Sequence, residues 1–173
     1  MKNQLERARQ AFFLGTLSSE GPVTSFDFGD GRGPVPAHRH PNGGGWVANT
    51  ALVAPTARVG RSAQVSDNAK VLGDAKISGH AWVFGDARVS GGAQVSDDTQ
   101  VADHAKISGN ARVSGSAHVF GHAQVSGNAR ISGDAQVSGN ARVSGNARVS
   151  GTAGVYGSAR VSGGAELTSG THK

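Results

Sequence analysis

The chain repeats itself every six residues. Val137-Ser138-Gly139-Asn140-Ala141-Arg142 recurs at 143–148 and again at 125–130. With the aliphatic residue as anchor, steps of six lead from Val47 through Val53, Val59, Val65, Val71 and Ile77 to Val155, Val161 and Leu167. That gives 21 anchors without an insertion or deletion. Four residues after each anchor stands an alanine from Ala51 to Ala165, broken only by Thr99. Two residues after it stands glycine from Gly73 onward, with Asp97, Asp103 and Ser169 as exceptions.

A period of six fits neither a helix of 3.6 residues per turn nor a long alternating strand, and a glycine in every unit would weaken both. It fits short strands separated by turns. In Ala-Arg-Val-Ser the alternation sends Ala and Val to one side and Arg and Ser to the other, while Gly-Asn and Gly-Asp accept turn geometry. Such a strand cannot bury its inner face alone. Three strands and three corners closing into an 18-residue coil, stacked on further coils, solve the problem. Twenty-one hexads then make seven coils, a rod of roughly 34 Å at ~4.8 Å per rung.

Composition explains why pattern has to carry the order. Val, Ile, Leu and Phe make up only about a fifth of the chain, at the border of disorder, whereas glycine contributes 27 of 173 residues. There are no cysteines, hence no disulfide framework, thiolate zinc site or cysteine nucleophile. No stretch reaches the ~20 apolar residues of a membrane span and no secretory signal is visible, so a soluble protein is expected, cytoplasmic or virion-associated, without a membrane partner. The net charge of +5 comes from 17 bases dispersed among 12 acids. It permits an anionic partner without forming a basic run.

The anchor-plus-small-residue hexads over 47–169 resemble the hexapeptide-repeat proteins. The Gly43-Gly44-Gly45-Trp46-Val47 entry and the VSGNAR units look most like uncharacterised bacterial and phage members. The resemblance implies an all-β, single-stranded left-handed parallel β-helix of about seven triangular coils. The rival is a right-handed solenoid such as the polymer-forming bactofilins, which period alone does not exclude. The family includes acyl-CoA-dependent acyltransferases, γ-type carbonic anhydrases with zinc held by histidines at a trimer boundary, and non-enzymatic scaffolds, so the resemblance does not choose a function. Twenty-one hexads run here without the loop excursion that acyltransferases use, and no Arg-x-Asp element matches the zinc enzymes.

The expected organisation is an N-terminal helix and Gly/Pro-rich capping segment at 1–45, a solenoid at 46–169 and a tail at 170–173. Residues 3–14 fit a short helix with Leu5, Ala8, Phe12 and Phe13 loosely on one face.

Sorting by eighteen gives three faces. Two carry bases before the anchor, including Arg88, Arg142 and Arg160 on one and Arg112, Arg130 and Arg148 on the other, followed mostly by serine. They read as solvated surfaces or as a binding site for an anionic polymer. The third carries no charged residue at these positions and shows Trp46, Trp82, Phe84, His118, Phe120 and Tyr156, as an interface would. His104 and His122 fall on adjacent rungs of one corner, with His118 one strand upstream of His122. They are the candidate metal ligands, against solvated surface histidines. His38 and His40 read as loop residues or partner contacts. The resulting expectation is a non-enzymatic structural or interaction rod without cofactor. Its partners would be itself, as a homotrimer or end to end, another protein, or an anionic polymer; an inter-subunit enzyme is the rival class.

Overall fold

The computed structural model describes residues 24–173, and every regular element among them is a strand. The expected helix at 3–14 lies outside the described residues. From Trp46 onward a strand begins every six residues, mostly two residues long: Leu52–Val53, Arg58–Val59, Gln64–Val65 and so on to Glu166–Leu167. Each pairs in parallel with the strand 18 residues on, Trp46 with Gln64, Arg88 with Lys106, Arg130 with Arg148. The strands sort into three sheets, and the chain is a β-solenoid of about seven coils.

Strands stay short because a corner interrupts each of them. The residue two past the anchor has positive φ at Gly73, Gly79, Gly85 and their equivalents, a backbone region open to glycine at no steric cost. Space matters as well. A Cβ built on Gly79 would lie 2.6 Å from the Asp97 amide nitrogen on the next rung. Three corners use aspartate instead, with φ of 56° at Asp67, 62° at Asp97 and 57° at Asp103. In each, the carboxylate accepts a hydrogen bond from the glycine amide one rung on: Gly85 to Asp67, Gly115 to Asp97 and Gly121 to Asp103, all at 3.0 Å. The exceptions to the glycine pattern thus compensate their strain with a local acceptor.

Inside, valine and alanine columns run the length of the rod, buried from Ala57 to Val161, while Ala51 and Val53 in the first coil are half-buried. Each buried valine contributes about 1.5 kcal/mol or more, which offsets the chain's low apolar content. Thr99, the one break in the alanine column, is also fully buried, and its hydroxyl donates to the Ser96 carbonyl at 2.7 Å. Backbone ladders complete the stack, as in Lys70 N–H to Ala87 O at 2.8 Å and Asp86 N–H to Asp103 O at 2.7 Å.

The two ends differ. At the N-terminal end, β1 (Ser25–Phe26) pairs antiparallel with β2 (Val35–Arg39), and β2 pairs antiparallel with β3 (Trp46–Ala48). Gly44 bridges Gly60, and the Gly45 amide donates to the Val59 carbonyl at 2.9 Å. Residues 35–45 therefore occupy two of the three sheet edges of the first coil. A Cβ on Gly43 or Gly45 would sit 2.3 or 2.4 Å from the Val59 and Gly60 carbonyl oxygens, which accounts for the glycine run. At the other end the outermost strands are Arg160–Val161, Glu166–Leu167 and Thr171–His172. The last of these, within the expected tail, pairs Gly154 with Thr171, a step of 17 instead of 18.

Candidate functional site

The three faces and the corners between them carry all the chemistry the rod displays. The neutral face is built on the sheet that holds Trp46, Gln64, Trp82, Gln100, His118 and Gln136 in register. Small residues after the anchor are buried, Ala102 and Ser138 each 8 % exposed, because larger side chains flank them on neighbouring rungs. Trp82 stacks on Phe84 with centroids 4.3 Å apart, and its indole N–H donates to the Ser66 hydroxyl at 2.9 Å. Tyr156 lies across Gly154, where a Cβ would meet its ring at 2.3 Å, and its hydroxyl donates to Gln136 Oε1 at 3.0 Å. Phe120 is 37 % exposed, one of two large apolar side chains so open among the described residues.

Trp46 stands apart from this row. Phe26 stacks on it at 4.5 Å and the Arg39 guanidinium lies 4.0 Å from its ring centroid. Phe26 and Trp46, with Phe28, Val35, Ala37, Ala48 and Trp82, form a second, smaller apolar cluster. Among the aromatics proposed for an interface, Trp46 is therefore covered by its own chain. Gln64 Oε1, on the rung between Trp46 and Trp82, is buried with no hydrogen-bond partner among the described residues.

The histidines come together only in part. His104 and His122 stack face to face, centroids 4.9 Å apart and planes 10° apart, with His104 Nδ1 3.7 Å from an Asp86 carboxylate oxygen. The two rings, one rung apart, form a stacked pair. His118 lies on the neutral face, on the strand that leads into that corner. His38 Nδ1 pairs with Asn49 Oδ1 at 2.9 Å, and buried His40 is 3.2 Å from the Asn42 carbonyl oxygen. No cluster of three or more potential metal ligands occurs among the described residues.

The basic faces form two ladders. On one, Lys70, Arg88, Lys106, Gln124, Arg142 and Arg160 are in register; on the other, Arg58, Lys76, Gln94, Arg112, Arg130 and Arg148 are. Among the described residues, only Arg148 of these ladders meets an acid, Glu166 at 2.9 Å. The corner acids thus do not pair with these bases. Sorting the corners by eighteen shows where they go: Asp67, Asp86, Asp97, Asp98, Asp103 and Asp134 all stand on the two corners that border the neutral face. The corner between the basic faces carries Asp74 and then Gly92, Asn110, Asn128, Asn146 and Gly164. Asn128 donates to Asn146 at 3.3 Å, and these amides with Gln94, Arg112 and Arg130 line a groove of about 440 Å³.

A further cleft, of about 470 Å³, lies between the 29–34 loop and the first corner. Arg32 spans it, paired with both Asp30 and Asp67. Hydrogen bonds from Arg32 hold the Asp30 carboxyl below the usual carboxylate range and raise the guanidinium in turn.

The family described as YdcK beta solenoid repeat matches the chain at residues 105–121, 123–139, 135–151 and 141–157. No curated protein and no solved structure matches it.

Proposed function

We propose that the chain is a non-enzymatic interaction rod that docks through its neutral face on a second copy of itself. The observation that carries this reading is the row Phe84, Phe120 and Tyr156, an aromatic on every second rung of a face without Lys, Arg, Asp or Glu. Interface cores are depleted of charge and enriched in aromatics, and in this row Phe120 is exposed while Phe84 and Tyr156 are half-buried. Stiff rungs at fixed spacing let many weak contacts add.

Light scattering after size exclusion at two concentrations tests the reading, on the unchanged chain and on Phe120→Glu. A discrete multiple of 17.4 kDa that Phe120→Glu reduces, with an unaltered far-ultraviolet circular dichroism spectrum, supports it. A homotrimer, as the hexapeptide-repeat resemblance implies, is one such multiple. A monomer at both concentrations overturns it. A mass that grows with concentration and ignores Phe120→Glu also overturns it, and assigns assembly to the outermost strand edges.

A further inference from the structure

We infer that the edge between the two basic faces is a binding site for a linear anionic polysaccharide carrying carboxylates along its length. Three observations lead there. First, Arg112, Arg130 and Arg148 occupy consecutive rungs in register, and the first two make no ion pair among the described residues. Like charges directly opposite each other in a sheet are destabilising, so folding alone does not account for the row. Second, no acid stands on the corner where the two basic faces meet after Asp74; Asp97, Asp98 and Asp134 lie on the opposite corner of the Arg112 face, beside the neutral one. Third, the corner that joins the basic faces replaces acid with amide at Asn110, Asn128 and Asn146. Together with Arg112 and Arg130 these line one continuous polar groove.

The groove chemistry suits a sugar chain. Guanidinium groups hold carboxylates in two-point contact, while the asparagine amides and the serines beside the arginine row, Ser114, Ser132 and Ser150, both donate to and accept from hydroxyls. Sites repeat at ~4.8 Å along a straight axis, about the advance of one pyranose unit in an extended chain. Single-stranded nucleic acid is the poorer fit, because its binders supply aromatic platforms for the bases and every exposed or half-exposed aromatic beyond Trp46 lies on the neutral face. Duplex phosphates wind around their own axis and leave a straight row after a few contacts.

Binding of sodium polygalacturonate to the full chain, measured by titration calorimetry at two salt concentrations, tests the inference. The expected result is binding that weakens with salt, and a loss of about tenfold or more in Arg112→Gln/Arg130→Gln. Glutamine already occupies this ladder at Gln94, one rung from Arg112, so the double variant keeps the fold. Arg61→Gln/Lys173→Gln removes the same charge away from the groove and is expected to stay within about twofold. No binding by the unchanged chain overturns the inference, as does an equal loss in both double variants. Tighter binding of single-stranded oligodeoxythymidine, with the same sensitivity to Arg112→Gln/Arg130→Gln, replaces the sugar with a nucleic acid. Because this site uses other faces than the neutral one, its failure leaves the self-association reading standing.

Discussion

Gly133 and Gly163 have the same backbone angle, φ +67°, yet one is an interior corner and the other belongs to the last coil. A Cβ on Gly133 would meet the Gly151 amide nitrogen at 2.9 Å, whereas a Cβ on Gly163 meets nothing within 4 Å. The interior glycine is required twice, by its angle and by the rung stacked on it; the terminal one is required by its angle alone. Similar differences run through the last coil. Ala165 is exposed where the interior alanines are fully buried, and Leu167 is half-buried where Ile107 and Ile131 are enclosed. Interior coils are held by two neighbours and the last by one, so stability is set rung by rung.

The largest expected test of that contrast is in the core. Ile107→Ala removes a fully buried side chain and should cost about 3 kcal/mol, against about 1 kcal/mol for Leu167→Ala, read from urea unfolding midpoints. Equal losses would mean that the last coil is packed by something it does not show. Next come the glycines: Gly133→Ala should cost about 2 kcal/mol or more and Gly163→Ala about 1 kcal/mol. Their difference isolates the stacking contact, and a vanishing difference would remove it as a cause. At the aspartate corners, Asp97→Ala is expected to lose about 1 kcal/mol, because it keeps the strained angle and deletes the acceptor for the Gly115 amide. Asp97→Gly should stay within about 0.5 kcal/mol, and the reverse order would sink the compensation argument. The smallest effect belongs to the exposed Arg148–Glu166 pair at the terminal rung: Glu166→Gln should shift stability by less than about 0.5 kcal/mol, and less still in high salt.

Most of the solenoid was legible in the sequence because its inward positions repeat without slippage. Val47 to Leu167 at intervals of six gave the strands, and closure in threes gave the 18-residue register seen between Arg112 and Arg130. The antiparallel pair β1 and β2 was not legible, since a Gly/Pro-rich segment carries no period and its partner is a sheet edge that exists only once the first coil has formed. The neutral and basic faces followed from the same sorting by eighteen. The removal of acids from the basic edge was also present in the sequence, at the corner positions, and emerges only when those are sorted too. For His104 and His122 adjacency was readable but ring orientation was not, because it depends on local rotation about side-chain bonds. Trp46 passed as an interface residue because the residues that cover it, Phe26 and Arg39, lie outside the repeat.

The unbroken register makes the length of this molecule a quantised variable. Removing residues 125–142 would join Gln124 to Val143 and restore a strand of the same face, with every remaining core contact found one coil along. The same excision would bring Phe120 and Tyr156, now 36 residues apart, onto consecutive rungs. The interior therefore tolerates growth or loss in single coils, while the aromatic row keeps its phase only in pairs. A lineage that varies its coil number under selection for that row should favour members that differ by an even count.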